Sequence, residues 1–204
     1  MTLSFAQSHH IDQDLLRLLR ARSKHVIVEL GMGDGRLLGH LAKQRMKNLS
    51  LLYIGIEKDT KQFSCARSRI NLDNVRLLKG DFVELLRLFP NFSVDRFLAV
   101  LPDPAYIDQC KVCTWHPFYR LAYSKLKEAG SLELITEITN ELWQPVQDNE
   151  YYEWVKWLKK TFQCLGFSIG SQRENAPREY SSHCLEQFRG GRRRIRIVTL
   201  EFRK

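Results

Sequence analysis

The sequence contains no long hydrophobic run. Its first 22 residues include Asp12 and Asp14 and lack the apolar stretch that a signal peptide or a membrane span requires. These absences indicate that this segment is neither a signal peptide nor a membrane span. We therefore expect a cytoplasmic protein that does not associate with membranes.

Cysteine is scarce and irregularly spaced. The chain has five cysteines, an odd number, at Cys65, Cys110, Cys113, Cys164 and Cys184. Disulfide frameworks use even numbers at regular spacings, so this pattern favours reduced thiols.

One stretch has the spacing of a metal site. Cys110, Cys113 and His116 could supply three zinc ligands, with His183 or Cys184 as the fourth. Structural zinc sites usually have closely spaced ligand pairs at both ends, and the second pair is missing here. We expect no metal and interpret these thiols as part of a loop near the substrate.

Acidic residues are fewer than basic ones, with 23 Asp and Glu against 32 Lys and Arg and a net charge of +9. Such an excess favours a polyanionic partner, because bases that neutralise phosphates release counterions. Seven of the bases lie within residues 189–204, against the single acid Glu201. Apolar residues alternate with them as in a strand, which predicts a basic surface that binds RNA through Arg192, Arg193 and Arg194.

No internal repeat, low-complexity tract or linker interrupts the 204 residues. A hydrophobic content of 44% is enough for one core and small for two. We predict a single domain over residues 1–204. It begins with a helical extension at residues 11–22, where leucines recur at helical spacing.

Segments typical of strands and helices alternate along the chain. Continuous apolar runs predict buried strands at residues 25–30, 51–56, 75–78, 97–101 and 132–138. Helical spacing predicts helices at residues 37–46, 60–70, 83–88, 118–127 and 151–164. Two further strands, residues 167–171 and 194–202, have no helical pattern between them. The pattern predicts an α/β fold, with a mostly parallel seven-stranded sheet and a C-terminal antiparallel hairpin.

The sharpest motif is the glycine-rich turn at residues 29–35, which directly follows the first strand and opens a helix. Its glycines let the backbone approach a ligand, and the helix start offers unpaired N–H groups. Glu57 ends the second strand, where an acid accepts both ribose hydroxyls of a nucleoside. Asp81, after the third strand, could accept from an adenine amine.

The sequence of this turn distinguishes between the binding sites of two classes of nucleotide cofactor. Dinucleotide sites use G-x-G-x-x-G, whereas this turn reads G-M-G-D-G and is preceded by Glu29. An acid there would repel a pyrophosphate and suits the positively charged sulfonium and amino group of S-adenosylmethionine. The predicted cofactor-binding residues are Glu29, Gly31, Met32, Gly33, Glu57, Lys58, Asp81, Phe82 and Leu101.

The fourth strand ends in Val-Leu-Pro-Asp-Pro, with the aspartate at Asp103. Ligand crevices of open α/β sheets lie at the carboxyl ends of the strands, so Asp103 should point at the methyl acceptor. An aspartate between prolines is equally typical of a turn cap. Both interpretations stay open, and Asp103 is the candidate catalytic residue.

The chain from residue 29 to 202 resembles the tRNA (guanine-N7-)-methyltransferase family, whose members have the Rossmann-like class I methyltransferase fold. The shared motifs are E-L-G-M-G-D-G-R, Y-I-G-I-E, N-V-R-L-L-K-G-D-F-V-E-L-L and L-P-D-P, followed by a strand that ends in Thr136 and Glu137. The resemblance implies methylation of guanine N7 in tRNA, with Asp103, Thr136 and Glu137 at the guanine.

The chain also departs from that family. The family usually has tryptophan after Pro-Asp-Pro, where this chain has Ala105. The family's Thr-x-Phe/Tyr-Glu segment corresponds only to residues 177–181, which implies Arg178 as a further substrate contact.

Two other interpretations remain. Ribosomal RNA adenine-N1 methyltransferases have a similar glycine turn and a basic stretch like residues 190–194, although their Phe-Pro-Trp after the fourth strand is missing here. A catalytically silent RNA-binding protein is the other, and the presence of Glu29, Glu57 and Asp81 together disfavours it. No sequence feature indicates an obligate protein partner, so we expect a monomer or a homodimer.

Overall fold

The computed structural model describes residues 13–20, 24–45, 48, 50–139, 144–190 and 195–204. The three arginines predicted to bind RNA, Arg192, Arg193 and Arg194, lie outside the described residues.

Within these ranges, seven strands form one sheet. They are β1 (His25–Leu30), β2 (Leu51–Glu57), β3 (Val75–Lys79), β4 (Val94–Val100), β5 (Leu126–Thr139), β6 (Ser168–Glu174) and β7 (Ile195–Arg203). Their order is β3-β2-β1-β4-β5-β7-β6. Strands β1 to β5 run parallel, and β7 lies antiparallel between β5 and β6. The predicted fold class, a mostly parallel seven-stranded sheet with an antiparallel C-terminal pair, is confirmed.

Helices cover both faces of the sheet. They are α1 (Gln13–Arg20), α2 (Arg36–Gln44), α3 (Thr60–Arg69), α4 (Phe82–Leu88), α5 (Val112–Lys125), α6 (Asp148–Cys164) and α7 (His183–Gly190). Helices α1, α4, α5 and α6 enclose the larger core. Helices α2, α3 and α7 pack on the opposite face. Within the described ranges, no helix is long and apolar enough to cross a bilayer.

The central strands were predictable because they are covered on both sides. Every residue of β2 is buried, and Val26 and Val28 of β1 are fully shielded from solvent. Burial on both faces requires a continuous apolar run rather than an alternating one.

Helix α5 differs from its prediction at both ends. It begins at Val112, where the apolar spacing predicts a start at residue 118, because its first turns contain the polar Thr114 and the helix breaker Pro117. It ends at Lys125, and the chain passes directly into β5. Gly130 lies inside that strand, where a Cβ would stand 2.8 Å from the Lys127 carbonyl oxygen.

The predicted hairpin between β6 and β7 is wrong in one respect, because the connection contains α7. Leu185 is fully buried there, in a small core with Ile135 and Ile197. The helix has only eight residues, and a single fully buried side chain gives no periodic signal in the sequence.

The carboxyl ends of β1, β2, β4 and β5 meet at one edge of the sheet, because these strands are parallel and adjacent. The segments that follow them contain the residues predicted to bind ligands. This edge is the crevice of the fold.

Candidate active site

The glycine turn follows β1 and adopts a backbone that favours glycine. Gly31, Gly33 and Gly35 have φ angles of 72°, 56° and 73°. The amides of Gly31 and Met32 both donate to the Ile56 carbonyl at 3.0 Å, which ties the turn to the end of β2.

The three glycines differ in what surrounds them. A Cβ at Gly31 or Gly33 would meet no atom within 4 Å, whereas a Cβ at Gly35 would lie 2.9 Å from the Ala66 Cβ. Gly35 therefore allows α2 and α3 to pack closely. Gly31 and Gly33 leave open space, in which a ligand can approach the backbone.

The Glu57 carboxylate lies against this turn. Its Oε2 accepts from the Gly33 amide at 2.9 Å, and its Oε1 accepts from the Asp59 amide at 2.7 Å. Each carboxylate oxygen can accept a second hydrogen bond, so Glu57 retains acceptor capacity for two hydroxyl groups.

Glu29 is a buried carboxyl at the end of β1, with 2% of its surface exposed. Burial raises its pKa from the ordinary value of 4.5 to about 8, a bond from the Leu38 amide lowers it, and Asp34 and Glu57 raise it further. Its Oε2 has no hydrogen-bond partner within the described part of the chain. A cation in the crevice would stabilise the ionised form of Glu29, so these carboxyl groups fit a positively charged ligand.

Asp81 and Phe82 join the crevice to an aromatic cluster. Asp81 caps α4 by accepting from the Val83 amide at 2.8 Å. The Phe82 ring centre lies 4.9 Å from those of Tyr106 and Phe118. Burial raises the pKa of Tyr106, and Asp81 and Asp103 add to the increase. Tyr106 therefore lies beside both carboxylates, and the sequence analysis did not identify it.

Asp103 acts as a local cap. Its Oδ1 accepts from the Ala105 amide at 2.9 Å and starts a short 3₁₀ helix, Pro104–Tyr106. The preceding Leu101 has a positive φ of 49°, and its amide donates to Ile135 of β5 at 2.7 Å. The Asp103 side chain is exposed beside the crevice. Its role toward an acceptor stays a prediction.

Thr136 and Glu137 end the buried part of β5. Thr136 is fully buried, and Glu137 is partly buried. Burial raises the pKa of Glu137 to about 7. The Glu137 Oε2 has no hydrogen-bond partner among the residues that the structure describes. The carboxyl with a perturbed pKa on this side of the crevice is therefore Glu137.

Helix α7 connects the two sides of the crevice, which the sequence analysis missed. Arg36 after the glycine turn pairs with Glu186 of α7 at 3.2 Å. Cys184 of the same helix is exposed, and partial burial of its thiol, with Glu137 and Asp34, raises its pKa.

The remaining predicted residues occupy different places. The Met32 side chain is buried in the core beneath α2 and α3, so only the Met32 backbone is open to a ligand at the glycine turn. Lys58 and Arg178 are exposed. Among the described residues, no three His, Cys, Asp or Glu side chains form a group that could hold a metal ion.

The raised pKa of Glu29 leads to a stability test. A carboxyl whose folded pKa exceeds its unfolded value stabilises the protein when protonated, and this contribution disappears as the pH rises through the folded pKa. We expect the free energy of unfolding to fall between pH 4.5 and about 8, by about 1.4 kcal/mol for each unit of pKa shift. Glu29→Gln should flatten this fall, as measured by urea unfolding without ligand.

Glu137→Gln is the matched control for Glu29→Gln. It should remove only the part of the fall that ends near pH 7. Equal pH profiles for Glu29→Gln and the parent protein would show that Glu29 does not titrate in this range.

Known methyltransferases resemble this chain in sequence. A family model described as "Putative methyltransferase" matches residues 23–179. The chain is 28% identical over 139 residues to the tRNA (guanine-N(7)-)-methyltransferase of Wolbachia pipientis wMel, covering 65% of this chain and 56% of that one. It is 30% identical over 143 residues to the protein of the same name from Helicobacter pylori (strain HPAG1), covering 68% and 33%. The chain thus spans between a third and just over half of these curated relatives.

Solved structures share the whole fold. The crystal structure of a 30S ribosomal A1408 methyltransferase from an uncultured bacterium gives a TM-score of 0.63 at 21% identity, over 96% of this chain and 95% of that one. At this identity the likeness concerns the fold alone. The family model covers well over half of the chain, and the predicted resemblance is confirmed. The chain belongs to this methyltransferase family, as a divergent member similar to the tRNA (guanine-N7-)-methyltransferases.

Proposed function

We propose that the protein transfers a methyl group from S-adenosylmethionine to N7 of a guanine in tRNA. The observation that carries the cofactor assignment is the buried carboxyl of Glu29, whose Oε2 has no partner among the described residues, beside the open glycine turn and Glu57. The names of the relatives support guanine N7 and tRNA as the acceptor.

The cofactor matches the crevice in charge and hydrogen bonding. Glu57 would accept from the ribose hydroxyls, Glu29 would offset the positive charge, and Asp81 would accept from the adenine amine. S-adenosylmethionine, when bound, would supply a methyl group on a positively charged sulfur. The guanine N7 lone pair would form the new bond as the methyl–sulfur bond breaks. The positive charge would then lie on the guanine ring.

The acceptor needs orientation rather than a base, because guanine N7 carries a lone pair and no proton. Asp103 or Glu137 would accept from N1–H and the 2-amino group, which fixes the position of N7. Only an ionised carboxyl can accept both bonds. Since burial raises the pKa of Glu137 to about 7, guanine donors would lower this pKa when they bind.

Removal of the Glu57 carboxylate should weaken cofactor binding. We expect Glu57→Ala to cost about 1–3 kcal/mol, because charge-assisted hydrogen bonds to ribose are lost. Calorimetric titration with S-adenosylmethionine measures this loss. Urea unfolding of the same variant shows whether the loss of bonds to Gly33 and Asp59 also destabilises the turn. An unchanged affinity would restrict Glu57 to its two backbone partners.

The reaction itself can be tested on its product. The protein is incubated with isotopically labelled cofactor and either tRNA or ribosomal RNA, and the nucleosides of each are analysed by mass spectrometry; the tRNA should contain labelled 7-methylguanosine. Labelled 1-methyladenosine in ribosomal RNA would reject the guanine assignment in favour of the adenine-N1 alternative. RNA binding without binding of S-adenosylmethionine would instead support the catalytically silent alternative.

The two roles of Asp103 can be separated with a matched pair of variants. Asp103→Ala removes both the charge and the cap, and should lower turnover by roughly a hundredfold, the scale of one lost transition-state contact. Asp103→Asn retains an oxygen that can accept from the Ala105 amide. If the charge orients guanine, Asn should be nearly as impaired as Ala, with cofactor affinity unchanged in both. Full activity of Asp103→Asn would mean that Asp103 serves only as a cap.

A further inference from the structure

Several bases near the C-terminus are already paired within the protein. Arg196 lies 2.6 Å from an Asp148 carboxylate oxygen and 3.6 Å from one of Glu174. Arg203 pairs with Glu201 at 3.0 Å. Bases that are held by neighbouring carboxylates release few counterions when RNA approaches. The described part of β7 therefore displays little of the net positive charge.

A second basic stretch is much less compensated. Residues 58–79 contain six bases against two acids, Asp59 and Asp73. All six bases are exposed, and they are Lys58, Lys61, Arg67, Arg69, Arg76 and Lys79. Within the described ranges, Arg69 is the only one of the six that forms an ion pair, with Asp34 at 2.8 Å. Arg76 donates to the carbonyl oxygens of Asp73 and Val75, which leaves its charge uncompensated.

We call four of the other bases the β3-edge surface: Lys58, Lys61, Arg67 and Lys79. Arg76 is left out, because it lies three residues before Lys79 on β3 and so on the opposite face of the sheet. The four bases lie before α3, on α3 and at the end of β3, at the edge of the sheet where β3 has β2 as its one neighbour among the described strands. Lys61 and Arg67 are separated by about 9 Å along α3 at the usual rise of a helix. The surface therefore presents a strip of positive charge rather than a single point.

This strip begins at the crevice. Lys79 pairs in register with Glu57, and Lys58 directly follows Glu57. Lys61 lies in the first turn of α3. The proposed cofactor ends there in an adenosine without a phosphate, so it offers these lysines no anion to bind. An anion at this place must come from another molecule that reaches the crevice.

We propose that the β3-edge surface binds the phosphate backbone of the RNA substrate as it leaves the crevice past the nucleoside end of the cofactor. This inference rests on the proposed function, and it adds the surface on which the RNA lies. Exposed bases without acidic partners among the described residues can bind phosphates, and the release of condensed counterions drives this binding. Because contacts to phosphates carry no sequence information, the surface would position the RNA rather than select the nucleotide.

The test compares two triple variants with the same change in charge. Lys61→Ala/Arg67→Ala/Lys79→Ala removes three bases of the surface. Lys156→Ala/Lys159→Ala/Lys160→Ala removes three bases of α6, where Lys156 already has Glu153 at 3.4 Å. Binding of an unmodified tRNA transcript is measured without cofactor at salt concentrations from about 50 to 200 mM.

The surface variant should flatten the plot of log affinity against log salt by about two to three units, since each lost phosphate contact contributes about 0.7–0.9. The α6 variant should keep the slope of the parent protein. S-adenosylmethionine affinity should be unchanged in both variants.

Three results would overturn the proposal: an unaltered slope in the surface variant, an equal change in both variants, or lost cofactor affinity in the surface variant. Because binding is measured without methyl transfer, the outcome is independent of the proposed reaction. A missing 7-methylguanosine product with a flattened slope would reject the reaction alone. A correct product with an unaltered slope would reject the surface alone, and an acidic protein would then be the better partner for it.

Discussion

The two hydrogen bonds that the Glu57 carboxylate accepts hold the crevice together. One comes from Gly33 in the glycine turn and the other from Asp59 before α3, so a single side chain joins the end of β2 to both neighbouring segments. Glu57 is 9% exposed, and hydrogen bonds in such surroundings are stronger than in water. A ligand that binds Glu57 therefore meets a turn that is already in position, and little conformational freedom has to be lost on binding.

Charge is separated between the inside and the outside of this protein. The chain carries a net charge of +9, yet the crevice is lined by the carboxyl groups of Glu29, Asp34, Glu57 and Asp81. Ionisation of Glu29 is unfavourable until a cation arrives. A small cation is therefore attracted to the interior of the crevice, whereas a polyanion is attracted only to the basic surface outside the crevice. One fold can thus bind two ligands of opposite charge without competition between them.

The sequence predicted those parts whose signals are local. Strands β1 and β2 are apolar because both faces are covered, and the proximity of Glu29, Gly33 and Glu57 follows from two adjacent parallel strands. Helix α7 could not be predicted, because Leu185 packs against residues distant in sequence rather than along its own helix. The ring contacts of Tyr106 likewise arise where separate segments meet. A sequence also does not reveal that Arg196 faces Asp148 and Glu174, whereas the predicted role of Arg192, Arg193 and Arg194 stays a prediction.

The position of β7 has a consequence for how the chain is made. Strand β7 is paired on both sides, with β5 and with β6, although β5 ends at Thr139 and β7 begins only at Ile195. During synthesis the edge of β5 stays open until β7 has been made, and open strand edges are templates for aggregation. In that interval the β5 edge can pair with another chain instead of with β7.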